Sequence, residues 1–202
     1  MIAIIDYGVG NLFSLISSFN AIGVEAVVTS DKEVITKADK IILPGVGAFG
    51  DASKKLKDSG LDKVVKEMVS IGKPLLGVCL GMQMLFERSY EYGEYEGLGL
   101  LKGEVVAFDL PKNYKIPHIG WNALEFKKKS PILKYISEND CVYFVHSYHA
   151  INCEDSLIAT TEYGTEVTAI VGSGNVFGCQ FHPEKSGDVG LKILKACSEI
   201  GE

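Results

Sequence analysis

The sequence PLLGVCLG at residues 74–81 constrains the fold more than any other part of the chain. Its apolar residues before Gly77 predict a buried strand of a parallel sheet. Gly77 and Gly81 stand two residues on either side of Cys79, which is the spacing of a nucleophile elbow, a tight turn from a strand into a helix. Such a turn exposes its central side chain at a helix N-terminus, where partial positive charge favours thiolate over thiol. It also frees the backbone N–H of Leu80 to donate to an oxyanion.

Near the end of the chain, a histidine and a glutamate follow a predicted strand. Residues 175–181 alternate like a strand, and His182 and Glu184 come directly after it. Side chains two residues apart in an extended chain face the same side, so the imidazole and the carboxylate project together. A cysteine nucleophile needs a base, and the base needs a partner that holds its tautomer. Taken separately, each motif has a plain alternative: a structural cysteine for the elbow, and a solvated surface pair for His-x-Glu. The two motifs together predict a triad of Cys79, His182 and Glu184.

The segment Pro-Gly-Val-Gly at residues 44–47 follows a predicted strand at residues 40–43. In a doubly wound sheet, loops at the carboxyl ends of the strands converge on the active crevice. Glycines also allow the peptide planes of this loop to reorient at low cost. We therefore expect a second oxyanion donor among the backbone N–H groups of Gly45, Val46 and Gly47, with a plain strand-to-helix loop as the alternative.

The chain alternates strands and helices in its first half and becomes rich in strands in its second half, which predicts an α/β fold. Its central sheet would be mostly parallel, with antiparallel additions from the C-terminal half. The predicted helices are 12–22, 51–59, 61–71, 82–88 and 187–200, and residues 90–96 are expected to form a surface loop. The predicted strands are 2–5, 24–28, 40–43 and 75–78, followed by 104–108, 120–126, 140–145, 156–163, 167–171 and 175–181.

Composition and length restrict the number of domains, the kind of partner and the location that we expect. Its 202 residues are 47% hydrophobic and include 22 glycines, which fits one globular domain at residues 1–202 with a sizeable core. Its net charge of −6 argues against a nucleic acid partner. We see no apolar run of membrane-spanning length and no signal peptide. The five cysteines form no C-x-x-C pair, so we expect reduced thiols and a cytoplasmic location.

Two further patterns are too incomplete to predict a cofactor or a metal site. Gly8 and Gly10 begin a dinucleotide fingerprint, but its third glycine would fall at Phe13. His146 and His149 are spaced H-x-x-H, and no third ligand stands at a recognisable spacing. We therefore expect neither a cofactor nor a metal ion.

Residues 77–83 and 181–184 resemble the two signatures of the class I (triad) glutamine amidotransferases. Within that family the chain is most similar to the glutaminase subunits of imidazole glycerol phosphate synthase, through residues 6–11, 44–49, 118–122 and 143–148. The resemblance covers essentially the whole chain and implies a flavodoxin-like, three-layer domain. It implies substrate-binding roles for Gln83, Ser147 and Tyr148, and a position at a partner interface for Asn11 and Trp121.

The resemblance also implies an activity and a partner. The chain would hydrolyse L-glutamine to glutamate and ammonia through a thioester on Cys79, and it looks too short to carry a second catalytic domain that consumes the ammonia. The implied consumer is a (β/α)8 cyclase subunit, which completes a heterodimer and makes imidazole glycerol phosphate and an aminoimidazole carboxamide ribotide in histidine biosynthesis. Three alternatives stay open: an amidotransferase subunit of another synthase, such as a sugar amidotransferase system, a cysteine hydrolase or protease on the same fold, and a non-catalytic binding module.

Overall fold

The computed structural model describes residues 1–201, so the last residue of the predicted domain 1–202 lies outside the described part. The helices within residues 1–201 are α1 (Leu12–Ala21), α2 (Lys32–Lys37), α3 (Phe49–Asp58), α4 (Leu61–Ser70), α5 (Leu80–Gln83) and α6 (Gly187–Ser198). The strands are β1 (Ile2–Ile5), β2 (Ala26–Thr29), β3 (Lys40–Leu43), β4 (Leu75–Val78), β5 (Arg88–Ser89), β6 (Tyr95–Glu96), β7 (Glu104–Ala107), β8 (His118–Ala123), β9 (Glu125–Phe126), β10 (Cys141–His146), β11 (Tyr148–Ile151), β12 (Leu157–Glu162), β13 (Glu166–Ser173) and β14 (Val176–Cys179).

An eight-stranded sheet in the order β2-β1-β3-β4-β14-β13-β12-β9 forms the centre of the molecule. The strands from β2 to β14 pair in parallel, and β13, β12 and β9 extend the sheet in antiparallel pairs. Every residue of β1, β3, β4 and β14 is buried, as expected for parallel strands that are covered on both faces. The predicted α/β class, with a mostly parallel sheet and antiparallel C-terminal additions, is confirmed.

Two apolar clusters cover the two faces of this sheet. Ile5 and Ile41 belong to one cluster, whereas their neighbours Ile4 and Ile42 belong to the other, because alternate side chains of a strand face opposite sides. The first cluster receives side chains from α2, α3 and α4, and the second receives side chains from α1 and α6. The result is a three-layer sandwich with the sheet in the middle.

Two smaller sheets lie beside the central one. Strands β8 and β10 form an antiparallel pair, and a four-stranded sheet has the order β11-β7-β5-β6. The turn between β10 and β11 consists of Ser147 alone, so this residue passes directly from one small sheet to the other. This connection matters for function because Ser147 and Tyr148 line the cavity described below.

The helix predicted at residues 82–88 is wrong. Helix α5 ends at Gln83, because the carbonyl groups of Met84, Leu85 and Phe86 accept hydrogen bonds from backbone N–H groups of residues 98–101 instead of from a further helical turn. The chain then leaves as β5, which pairs with both β7 and β6. The predicted loop at residues 90–96 therefore ends in a strand, β6.

Other boundaries differ from the prediction by less. Helix α2 and strand β11 were not predicted, and the second strand lies at Ala26–Thr29 instead of residues 24–28. The single strand expected at residues 120–126 is divided into β8 and β9 at Leu124, whose N–H bonds the carbonyl group of Asp140. Within residues 1–201, no helix combines the length and the apolar character needed to cross a membrane.

Candidate active site

The nucleophile elbow forms as the glycine spacing predicts. Strand β4 ends at Val78, Cys79 has φ +55° and ψ −112°, and Leu80 begins α5. A non-glycine residue with positive φ is strained, so the fold holds this backbone against its own preference. A Cβ atom on Gly77 would lie 2.7 Å from the carbonyl oxygen of Gly81, so strand β4 and helix α5 pass this closely only because Gly77 lacks a side chain.

Strand β14 brings the predicted base and its partner to the elbow. It pairs in parallel with β4, with Cys179 opposite Val78, and the backbone N–H of Cys79 donates to the Cys179 carbonyl oxygen at 2.8 Å. His182 follows three residues later, and its Nδ1 lies 2.8 Å from Oε1 of Glu184. The side chains of His182 and Glu184 are only 4% and 1% exposed, so this ion pair is shielded from water.

The surroundings of His182 favour its protonated form. Burial by itself lowers the pKa of the imidazole, but Cys79 and Glu184 interact with the charged form and raise the pKa from 6.5 to about 10. His182 therefore keeps its proton at neutral pH while it faces the sulfur. Such a site suits a thiolate–imidazolium pair, in which the histidine can later donate its proton to a leaving group.

Glu184 has a second partner from the other end of the chain. Asn11, which precedes α1, donates from Nδ2 to Oε1 of Glu184 at 3.5 Å. The other carboxylate oxygen, Oε2, is buried and has no protein hydrogen-bond partner. Asn11 was predicted to lie at a partner interface, and in the structure it contacts the triad as well.

The loop at residues 44–47 lies against the elbow. Gly45 packs on α5, where a Cβ atom would stand 2.7 Å from the backbone nitrogen of Gly81, and Gly47 has φ +91°. The buried hydroxyl of Tyr7 donates to the Pro44 carbonyl oxygen at 2.6 Å and holds the start of the loop. Burial, and to a smaller extent the neighbouring Cys79, raises the pKa of the Tyr7 phenol well above its usual range, so this donor stays protonated.

A cavity of about 250 Å³ opens between the elbow, this loop and the turn between β10 and β11. It is lined by Val46, Gly47, Cys79, Leu80, Gln83, Glu91, Val145, His146, Ser147, Tyr148, His182 and Lys185. All the predicted triad, oxyanion and substrate-binding residues except Gly45 and Glu184 are therefore in its wall. Gly45 and Glu184 stand one contact behind it, against Gly81 and His182.

Comparison with known proteins shows the family to which the chain belongs. The family model for glutamine amidotransferase class-I matches residues 3–197. The imidazole glycerol phosphate synthase subunit HisH of Lactococcus lactis subsp. lactis is 55% identical over 199 residues, which are 98% of each chain. The subunit of the same name from Caldanaerobacter subterraneus subsp. tengcongensis is 53% identical and covers 99% of this chain and 98% of its own. The chain is a class I glutamine amidotransferase of the HisH family.

Solved structures agree with this amidotransferase in fold. A glutamine amidotransferase crystal structure superposes with a TM-score of 0.75 at 20% identity, over 98% of this chain and 100% of the other. The PurLQS structure from Thermotoga maritima gives the same TM-score at 21% identity, over 98% and 96% of the two chains. The predicted glutamine amidotransferase domain fold is thus shown.

Four residues of the cavity wall were not predicted as site residues: Glu91, Val145, His146 and Lys185. Glu91 follows the short strand β5 and accepts a hydrogen bond from the backbone N–H of Phe49 at 2.7 Å, and burial raises the pKa of its carboxyl group. His146 ends β10, and burial lowers its pKa to about 3, so it is neutral at physiological pH. Glu91 has no partner at a diagnostic spacing in the sequence, although it lies in an acidic, aromatic stretch close behind the elbow, and His146 was considered only as part of the H-x-x-H pair with His149.

Trp121 lies outside the cavity. It projects from β8 with 55% of its surface exposed, and its ring lies 6.0 Å from the ring of Tyr143 on β10. The backbone carbonyl group of Tyr143 accepts from the N–H of His182 at 3.0 Å, so strand β10, which carries the Tyr143 ring, also holds the backbone of His182.

Proposed function

We propose that the chain hydrolyses L-glutamine with Cys79 as nucleophile and supplies the ammonia to a partner synthase subunit. The observation that carries this proposal is the strained Cys79 at the elbow, which shares one cavity with His182 while Glu184 holds the other side of the imidazole. The same geometry serves as a triad in acyl-transfer enzymes of unrelated folds.

The chemistry proceeds in two halves. The Cys79 thiolate attacks the side-chain amide carbon of glutamine, and the oxyanion that forms accepts hydrogen bonds from the backbone N–H groups of Leu80 and of one of Gly45, Val46 and Gly47. His182 protonates the departing ammonia and leaves a glutamyl thioester on Cys79. The neutral imidazole then takes a proton from water, which attacks the thioester and releases glutamate. Glu184 stabilises the imidazolium form of His182 in both halves.

The wall of the cavity suits an amino acid substrate. Glu91 is an acidic residue in the lining that the triad does not use, so its carboxylate can meet the α-ammonium group of glutamine. Polar groups of Ser147 and Tyr148, and the side chain of Gln83, stand around the remaining space. A cavity of about 250 Å³ is the right order of size for one small amino acid.

We further propose that residues 1–202 form a single amidotransferase domain in the cytoplasm and that its partner is a (β/α)8 cyclase subunit, joined in a heterodimer. The relatives' own name, imidazole glycerol phosphate synthase subunit, supports the choice of this synthase over a sugar amidotransferase system. The cyclase would use the ammonia to make imidazole glycerol phosphate and an aminoimidazole carboxamide ribotide. Asn11 and the exposed Trp121 are the residues that we place at the interface.

Two measurements test the proposal. The tagged chain, expressed at native level, should capture a (β/α)8 protein, and the complex should consume glutamine with release of equimolar glutamate and ammonia. A reactive glutamine analogue should label Cys79 rapidly and stop this turnover. Capture of a different synthase would reject the histidine-pathway assignment, and turnover of peptides in place of glutamine would reject the glutaminase.

A further inference from the structure

Gln180 is a fully buried side chain beside the nucleophile that neither the triad nor the oxyanion loop uses. It follows the last residue of β14, and its backbone N–H donates to the Ala169 carbonyl oxygen at 2.9 Å, which continues the sheet pairing past the end of the strand. Its side-chain Nε2 lies 3.7 Å from Sγ of Cys79, within hydrogen-bond distance for sulfur. Its Oε1 accepts from Nε2 of Gln83 at 3.0 Å.

The surrounding hydrogen bonds decide which end of the Gln180 amide faces the sulfur. Nε2 of Gln83 donates to the backbone carbonyl oxygen of Tyr148 at 3.0 Å. A carbonyl oxygen can only accept, so this end of the Gln83 amide must be the NH2 group. The second hydrogen of that NH2 group points to Gln180, whose facing atom must therefore be the oxygen. The NH2 group of Gln180 is left to face Cys79.

The Tyr148 carbonyl group, at which this series of hydrogen bonds begins, is itself held in place. Nδ1 of His146 lies 2.8 Å from the same Tyr148 oxygen, and it can make this contact only as a donor. Nε2 of His146 in turn contacts Nδ1 of His118 at 3.0 Å. The orientation of the Gln180 amide thus depends on buried groups from three strands, and it does not depend on bound substrate.

We propose that Gln180 is a further catalytic residue that donates an N–H hydrogen bond to the Cys79 thiolate, and that Gln83 is the positioning residue that directs it. A neutral amide can stand beside the protonated His182 without charge repulsion, whereas a second cation there would compete with it. The bond stabilises sulfur as an anion before attack, and again when the thiolate leaves the glutamyl group during hydrolysis. It serves the glutamine hydrolysis proposed above, but it exists without glutamine and can be measured without it.

The test is the pH dependence of Cys79 alkylation by iodoacetamide in the full-length chain, followed by the mass of the Cys79 peptide. Gln180→Met keeps the length of the side chain and removes the donor. Because hydrogen bonds to charged groups are worth on the order of one pKa unit, the midpoint of the profile should rise by about one pH unit. Gln180→Glu keeps the oxygen that Gln83 bonds and places a negative charge by the sulfur, so its midpoint should rise further.

Asn175 supplies a matched control at the other end of β14. Its side-chain amide donates to two backbone carbonyl oxygens, those of Val69 and Lys73, far along the strand from the sulfur. Asn175→Leu should lower the melting temperature and leave the alkylation midpoint unchanged. A folded Gln180→Met variant with the wild-type midpoint would overturn the proposal, and if that variant does not fold, an unchanged midpoint in Gln180→Glu would do so. Absence of glutamine turnover in the wild-type complex with its partner would count against the proposed function alone.

Discussion

A Cβ atom on Gly81 would overlap the carbonyl oxygen of Leu43. Leu43 is the last residue of β3 and is followed at once by the loop at residues 44–47, whereas Gly81 lies in the first turn of α5, two residues after Cys79. The backbone that leads into this loop is therefore in direct contact with the elbow. One atom added to Gly81 would force the two segments apart.

The first prediction concerns this contact. Gly81→Ala should destabilise the fold by about 1–3 kcal/mol, as overpacking does, and should reduce glutaminase turnover by more than the loss of folded protein explains, because the loop must move. Gly72→Ala is the control, since Gly72 has φ +92°, open space around it and a position at the opposite end of β4. Denaturant unfolding and turnover per folded molecule measure both. Equal turnover in the two variants would contradict the expectation.

The second prediction separates the two activities of the complex. Cys79→Ser should abolish glutamine-dependent synthesis and leave synthesis from added ammonium salt intact, because only the glutaminase step uses the thiol. Cys141→Ser, which changes an exposed cysteine outside the cavity, should leave both activities unchanged. If Cys79→Ser lost both activities together, Cys79 would have a structural role in place of a catalytic one.

The third prediction concerns the charge on Glu184. Glu184→Gln retains the shape of the side chain but removes the charge that stabilises imidazolium and selects its tautomer. The corresponding change in a serine protease triad costs roughly ten-thousandfold in turnover, and we expect a drop of comparable order here with little change in folding. Glu199→Gln is the control, because this carboxylate bonds Lys134 and Tyr135 on the surface. A loss of tenfold or less would reduce Glu184 to an auxiliary role.

The fourth prediction follows from the buried, neutral His146. Its pKa is about 3 in the folded chain because burial disfavours the charged form, whereas the ordinary value is 6.5. Between these two values the unfolded chain binds one more proton at this position, so stability falls as pH falls, by up to ~1.4 kcal/mol per pH unit. His146→Asn should make the slope of unfolding free energy between pH 5 and pH 6 shallower by about this amount.

Two other buried histidines also contribute to the pH dependence of the unfolding free energy. Burial also lowers the pKa values of His118 and His149, so part of the acid sensitivity should persist in the His146 variant. The slope is obtained from denaturant titrations at several pH values in one buffer system. An unchanged slope would show that His146 takes up its proton equally in the folded and the unfolded chain.

The fifth prediction concerns activation by the partner. The chain alone should be a poor glutaminase, which the cyclase with its ligand stimulates. The glycines that flank Val46 permit two peptide orientations, one of which aims an N–H group into the cavity. A free-energy gap of about 3 kcal/mol would leave the competent orientation below ~1% populated, and partner binding can close such a gap.

Val46→Pro tests that mechanism, because it deletes the N–H group of a residue that is 40% exposed in the cavity wall. The variant should bind the cyclase and use free ammonia, yet show no ligand-stimulated glutaminase. Stimulation at the wild-type level would exclude the Val46 N–H as donor. A fully active isolated chain would reject the switch altogether.

The sequence predicted the elbow well because its signal is local. Two glycines at fixed distances from Cys79 leave few backbone conformations, and the positive φ of Cys79 is the conformation that such a turn requires. The strand before His182 was predicted at residues 175–181 from its alternation and lies at Val176–Cys179, but its parallel pairing with β4 was not predicted, because it was expected among the antiparallel additions.

The features that the sequence did not predict depend on contacts between residues far apart in the chain. Helix 82–88 was predicted as the continuation of the elbow, but carbonyl groups of this segment accept hydrogen bonds from the segment at residues 98–101, which the local sequence does not reveal. The Gln180 amide belongs to a network whose other member, Gln83, is 97 positions away in the sequence. Asn11 likewise meets Glu184 across 173 positions. Such contacts become visible only when the sheet order is known.

The insertion of β14 between β4 and β13 also sets when catalysis can begin during synthesis of the chain. Cys79 leaves the ribosome about a hundred residues before His182, and in that interval the edge of β4 has no partner on one side. A nascent or truncated chain thus carries the Cys79 thiol without His182 and without the Gln180 amide. The cavity is therefore complete only once β14 and the residues that follow it are present, so a chain that ends before residue 176 lacks the His182 side of the site.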